Sequence, residues 1–402
     1  MSRLSVGSIV LNIVLVGYVL FSGRARTKDS TTRVSGWEWG AEVDSGTLEW
    51  IVALASGAGV DSAPVDSCIR YFDEWTGGSE AGVEQSPPRC ESTTACRVVG
   101  GDRCDVGEEP AVRVAILFTL TESPLIRSYV QELAVAAFAW NRLAGTSRHV
   151  TIADLLVSVP ASVRLHPDDE RLLDELGIVR LSLDVPVRWS ELSDPYYASH
   201  VNESGCCGLA ELTKLQALTL SAYDWVLVSD ADTLPYRLPD ELFVAPPSVG
   251  FIYTNGSMVG EHMSGGVFAL RPNRTLHSAL VDVVRVGDFE PGKGWGGTGV
   301  GWGYGGATIQ GLLPYWFLTK EAPARSMRVS RCVYNSQNAR ECTDTPLDAI
   351  ALVHFTLCGK PARCEREPRL PACLVHFDTW WRVSRDLEAS LALPARPSCS
   401  SL

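Results

Sequence analysis

Positive charge is in short supply in this 402-residue sequence: 35 Lys and Arg stand against 47 Asp and Glu, a net −12 at pH 7. That balance disfavours nucleic acid as a partner, since a phosphate backbone is held by clustered cations. Internal repeats are absent, which removes solenoids and propellers from consideration. The twelve cysteines lack the C-x-x-C spacing of zinc sites, so they suit disulfides in an oxidising compartment. A dinucleotide fingerprint is missing as well, because Gly292-x-Gly294 has no strand of the expected kind before it.

What is present suffices for a core of one large or two smaller domains, at 46% apolar residues. Val112–Leu120 reads as an opening strand, and Ser128–Leu143 as a helix with Tyr129, Leu133, Ala136 and Trp140 at spacings of three and four. His149–Val157 and Gly177–Leu183 read as further strands, separated by a charged helix beginning near Pro167. The alternation is a βαβ pattern and predicts an α/β fold with a Rossmann-like sheet flanked by helices.

In the run Tyr223–Ser229, apolar residues between polar ones predict an interior parallel strand, and Asp230-Ala231-Asp232 follows it. Ligands of open α/β sheets gather at such carboxyl ends. Two carboxylates there can converge on a hard cation, Mn2+ or Mg2+; alone, the same tripeptide reads equally as a turn or a helix cap. Leu209, Leu212 and Leu215 precede it at the spacing of one helical face, with Lys214 off that face. Thr213-Lys214-Leu215, the strand, Asp230-Ala231-Asp232-Thr233-Leu234 and Asp240-Glu241-Leu242-Phe243 together resemble the nucleotide-sugar core of the glycogenin-like glycosyltransferases, family 8, of GT-A fold. His354-Phe355 with Gly359-Lys360-Pro361 is similar to that family's late His-Phe-x-Gly-x-x-Lys-Pro signature, whereas His376-Phe377 lacks the Lys-Pro and reads as packing.

The resemblance covers roughly Val112–Cys364 and implies a retaining transferase that moves a hexosyl or related unit from a UDP-sugar to a glycan or glycoprotein. It implies Asp230, Asp232 and His354 as metal ligands, and Lys214, Asp230, Ser264, Gly266, Gln310, Gly359 and Lys360 as substrate contacts. The loop Thr119–Ser123 would approach the base and ribose. Two departures stand out: Ser264 occupies the place of the family's Asn, and Ile309 that of the Asp in an Asp-Gln pair beside the transferred sugar. They keep open a non-catalytic nucleotide- or glycan-binding protein of the same fold. A phosphatase of the haloacid dehalogenase type fits less well, since Thr233 follows Asp232 without the Gly of that motif. The glycine-rich stretch Gly292–Gly306, with Trp295, Trp302 and Tyr304, reads either as a loop stacking on acceptor sugars or as a flexible surface loop.

Four regions are expected: 1–23 as signal anchor or signal peptide, 24–110 as an acidic cysteine-containing stem, 111–375 as the GT-A domain and 376–402 as a C-terminal extension. Leu4–Phe21 is an apolar run that spans about 27 Å as a helix, enough for a bilayer core; Phe21-Ser22-Gly23 offers a cleavage site. Trp37–Pro110 carries fifteen acids against four Arg, and reads as a solvated stem or a short acidic recognition module. Past Cys373, Trp380-Trp381 and a short helix are expected on the domain edge.

Arg24, Arg26 and Lys28 after the span favour a cytoplasmic C-terminus. The cysteines and the sequons at Asn202, Asn255 and Asn273 favour a lumenal catalytic domain on a Golgi or ER membrane, single-pass, or secretion if residues 1–23 are cleaved. A lumenal domain should migrate faster on a gel after peptide N-glycosidase treatment; an unchanged mobility, with every thiol labelled without reduction, would contradict it.

Overall fold

The computed structural model describes residues 97–98, 104–105, 111–147, 149–337, 340–365, 371–396 and 399. The expected span at 4–21 and most of the acidic segment lie outside them; among the described residues no helix is long and apolar enough to cross a membrane.

The strands that position the site are β1 (Val112–Thr119), β2 (Val150–Ser158), β3 (Ile178–Leu181), β4 (Trp225–Ser229), β5 (Thr233–Pro235), β6 (Phe251–Thr254), β7 (Val267–Leu270), β8 (Ser326–Val329) and β9 (Leu352–His354). Seven of them form a mixed sheet in the order β8-β6-β7-β4-β1-β2-β3. β4 lies inside it, parallel to β1 but antiparallel to β7, with Ser229 opposite Val267. The expected parallel strand is thus parallel on one edge only. β5 and β9 make a separate antiparallel ladder.

Successive residues of a strand face opposite sides, and the two cores follow that alternation. Ile116, Phe118, Trp225 and Leu227 pack on one side, and Ala115, Leu117, Val226 and Val228 on the other. The first side is covered by α1 (Ile126–Leu143), whose buried stripe includes Leu133, Ala136 and Trp140. The charged helix α2 (Pro167–Glu175) starts as its sequence dictates. Pro167 opens it, the His166 side chain accepts from the Asp168 amide, and Asp168, Asp169 and Glu170 occupy the first turn. The second side is covered by α3 (Arg274–Val286), capped by Asn273 and ended by left-handed Gly287, and by α4 (Ile309–Tyr315).

Gly208–Thr219 is a 3-10 helix of twelve residues, unusually long for that form. At three residues per turn, leucines spaced by three fall on one line, and Leu212, Leu215 and Leu218 are all fully buried. Glu211 and Lys214 fall on a second such line. Lys214 is off the leucine face as its position predicts, yet it is buried too.

The C-terminal segment departs most from expectation. It is the 20-residue helix α5 (Pro371–Ser390), and Phe377, Trp380 and Leu387 enter the core beneath α1. Trp380 is fully buried and makes an edge-on contact with the partly buried Trp381. His376 packs as expected, its Nδ1 2.6 Å from the Tyr236 hydroxyl. Disulfides join Cys332 to Cys342, Cys358 to Cys373 and Cys364 to Cys399. Trp380→Ala should lower the unfolding free energy by about 3–5 kcal/mol, read from chemical denaturation; a loss under 1 kcal/mol would mean that α5 is peripheral.

Candidate metal and donor site

Asp230 and Asp232 follow β4 as its sequence implies, and the β5–β9 ladder brings the third group to them. His354 sits opposite Thr233, and the Phe355 amide donates to the Asp232 carbonyl at 2.9 Å. His354 Nε2 lies 3.8 Å from Asp230 Oδ2 and 3.5 Å from Asp232 Oδ1. The approach needs Gly266: a Cβ there would meet His354 Cε1 at 2.1 Å.

Each carboxylate gives its other oxygen to a lysine. Lys214 Nζ is 2.8 Å from Asp230 Oδ1, and it also donates to Glu211 Oε2 at 2.9 Å and to the Gly265 carbonyl at 3.0 Å. Lys360 pairs with Asp232 Oδ2. Burial alone would lower the Lys214 pKa, but Asp230 and Glu211 more than reverse this and keep the ammonium charged. For Asp232, burial pushes the carboxyl up, and the combined pull of Lys360 and His354 outweighs it, holding the group well below the usual carboxylate range.

His354 Nδ1 lies 3.0 Å from Asn335 Oδ1, whose amide nitrogen donates to Thr254 Oγ1 at 2.9 Å. An Nδ1–H donated to that oxygen turns Nε2 toward the carboxylates. The donor set, two carboxylates and one imidazole, fits a divalent ion.

The three groups line a cavity of about 730 Å³ together with Lys214, Ser264, Gly266, Gln310 and Lys360. The loop 119–123 lines it as well. Gly359 does not; it takes a positive φ of 82° and turns the chain one residue before Lys360. Lys214 is expected to touch the donor; here it spends its hydrogens on Asp230, Glu211 and the Gly265 carbonyl. Ser264 Oγ accepts from Gln337 Nε2 at 3.1 Å.

Ile309 is fully buried in the second core and does not line the cavity. A carboxylate arrives beside Gln310 from elsewhere: Glu261 Oε1 accepts from Gln310 Nε2 at 2.8 Å, while the Ser257 and Met258 amides hold Oε2. The glycine-rich stretch is not a free surface loop throughout. Trp295 is a core residue donating from Nε1 to the Gly306 carbonyl at 2.8 Å. A Cβ on Gly294 would lie 1.9 Å from the Val300 carbonyl oxygen. Tyr304 lines the cavity, half exposed, and Trp302 lies against Gly260.

Sequence reasoning missed Glu132, Asn335, Gln337 and Glu261. A Glu on the apolar stripe of α1 was the one available signal, and Glu132 is buried to 1% exposure. Burial first, and the Asp232 charge second, push its carboxyl up to about 8 against Lys360, Arg363 and the Ala362 amide.

No family model matches the sequence, and no curated protein matches it. Solved structures similar to it include apo-form glycosyltransferase GlyE of Streptococcus pneumoniae TIGR4, 15% identical, covering 71% of this chain and 65% of that one at a TM-score of 0.42. Galactosyltransferase LgtC in complex with donor and acceptor sugar analogues is 12% identical over 70% of this chain and 97% of its own, TM-score 0.40. Mouse xyloside xylosyltransferase 1 in its apo form is 12% identical over 61% and 98%, TM-score 0.39. The chain therefore spans less than two thirds of the GlyE structure, and likeness at this level assigns no activity.

Glu132 sets a pH dependence. Its folded pKa of about 8 lies above the ordinary 4.5, so the folded state holds the proton longer than the unfolded one. The contribution to stability is complete below the ordinary value and is lost as pH rises toward 8, at up to about 1.4 kcal/mol per pH unit. Glu132→Gln should remove that slope in denaturation curves between pH 5 and 8; an unchanged slope would refute the assignment.

Proposed function

We propose that this chain is a divalent-metal-dependent glycosyltransferase of GT-A type that takes a UDP-sugar and transfers a hexosyl or related unit, with retention, to a glycan or protein acceptor. The observation that carries the proposal is the convergence of Asp230 Oδ2, Asp232 Oδ1 and His354 Nε2 on the cavity floor, with Lys360 beside them. The family resemblance of the segments bearing those residues supports it.

Asp230, Asp232 and His354 would hold the ion, Mn2+ or Mg2+, which when bound neutralises charge on a diphosphate leaving group. Lys360 carries a second positive charge to the same place, on a side chain 18% exposed to the cavity. It favours the departing diphosphate because the positive charge is fixed before negative charge develops. Lys214 anchors Asp230 from behind. Asn335 holds the His354 ring through Nδ1 with Nε2 aimed inward. Glu261 and Gln310 supply an acceptor and an amide to sugar hydroxyls, and Tyr304 offers a ring face to an acceptor sugar. Retention follows from the resemblance, in which the leaving phosphate takes the acceptor proton.

The three disulfides support a lumenal or secreted location for this domain. A panel of UDP-sugars assayed for Mn2+-dependent hydrolysis and transfer identifies the donor. Asp230→Asn should abolish turnover with the far-ultraviolet dichroism unchanged. Asn335→Ala should weaken Mn2+ binding by about 10- to 100-fold. Near-wild-type turnover by Asp230→Asn would overturn the proposal.

A further inference from the structure

Cys206 and Cys207 line the same cavity. Cys206 is exposed and Cys207 half-buried. Their sulfurs stand 2.8 Å apart, closer than unbonded sulfurs rest and beyond the bonded length of about 2.05 Å. Six other cysteines are paired in disulfides, so the surroundings that oxidise those six bear on this pair too. Cys206 Sγ also donates to Glu211 Oε1 at 3.0 Å. Glu211 Oε2 accepts from Lys214, and Lys214 holds Asp230. A continuous chain of polar contacts thus runs from the thiols to a carboxylate of the metal site.

We propose that Cys206 and Cys207 form a reversible oxidation site, a vicinal dithiol that closes to a disulfide on the cavity wall and loosens the hold on Asp230. The link to metal binding rests on the donor-site reading above; the closure itself does not. The two thiols differ in reactivity. The close contact with Cys206 draws the Cys207 thiol below its ordinary range. The same contact, then burial and the Glu211 charge, push Cys206 up. Cys207 is therefore the attacking thiolate.

The oxidant is an external disulfide of the glutathione class. The Cys207 thiolate attacks one of its sulfurs, forming a mixed disulfide and expelling a thiolate that takes up a proton. Cys206 then loses its proton by way of Glu211 Oε1 and attacks the Cys207 sulfur. The second external thiolate leaves and takes that proton, so two protein thiols and one disulfide become one protein disulfide and two small thiols.

Consecutive Cα atoms lie about 3.8 Å apart, short of the range of about 4.4–6.8 Å that disulfides usually span. The ring is strained for that reason and is readily reduced, unlike a bond between distant residues. Closure removes the S–H donor from Glu211 Oε1. The Glu211 charge then falls on Lys214 alone, which moves toward it and away from Asp230 Oδ1.

The test uses the full chain, equilibrated with glutathione disulfide or with a mild thiol reductant. After oxidant, the peptide bearing residues 206 and 207 should be two hydrogens lighter and resist alkylation. After mild reduction it should take two alkyl groups while the other disulfides persist. Calorimetric titration with Mn2+ should show affinity weaker by roughly 10-fold in the oxidised form. Cys206→Ser retains a hydroxyl donor to Glu211 and should bind Mn2+ equally with and without oxidant. Double alkylation after oxidant, or closure with unaltered Mn2+ affinity, would overturn the proposal. Absence of Mn2+ binding in both forms would instead overturn the donor-site reading, and peptide mapping alone would then decide the cysteine pair.

Discussion

The site depends on a three-residue ladder. β5 follows Asp232 directly, β9 ends at His354, and their antiparallel register sets His354 opposite Thr233. With the backbone so fixed, the imidazole has one place to go, over Gly266, and any side chain there would exclude it. A second contact secures β4, where the Asp230 amide donates to the Gly266 carbonyl at 2.8 Å. Three distant segments are thereby locked to the same few ångströms. The cost is slow assembly, since contacts so remote in sequence form against loop entropy.

Charge balance explains why so many ionisable groups tolerate burial together. Glu211, Asp230 and Asp232 bring three negative charges, and Lys214 and Lys360 two positive ones. The raised Glu132 pKa keeps that carboxyl largely neutral near pH 7. The remaining negative charge is faced by the His354 ring. Buried ion pairs are poor sources of stability. The lysines do double service, satisfying one oxygen of each carboxylate while leaving the other free.

The α/β architecture was legible because its strands and helices are long and periodic. Val112–Thr119, Ile126–Leu143 and Pro167–Glu175 fall within a few residues of where the pattern puts them. Asp230, Asp232, His354 and Lys360 were legible as a group because motifs that resemble those of family 8 carry them, and the structure brings their side chains together. Asn335, Gln337 and Glu261 were not, since they act by hydrogen bonding across the fold and nothing in their neighbours marks them. Ile309 marks the place of a family carboxylate, and the sequence around it gives no sign that Glu261 reaches Gln310 from a different loop. Lys214 was placed correctly on its helix, but its partners depend on the 3-10 winding that lines it up with Glu211.

Lys360 lies between Cys358 and Cys364, and both of these cysteines are tied to residues beyond it, Cys373 in α5 and Cys399. The loop presenting the lysine is thus stapled at each end to the tail of the chain. Trimming the protein at the last recognisable motif, just after Cys364, would cut both staples and strip away the helix that covers α1. The folded unit therefore extends well past the final signature residue, and the tail is part of the scaffold that holds Lys360 beside Asp232.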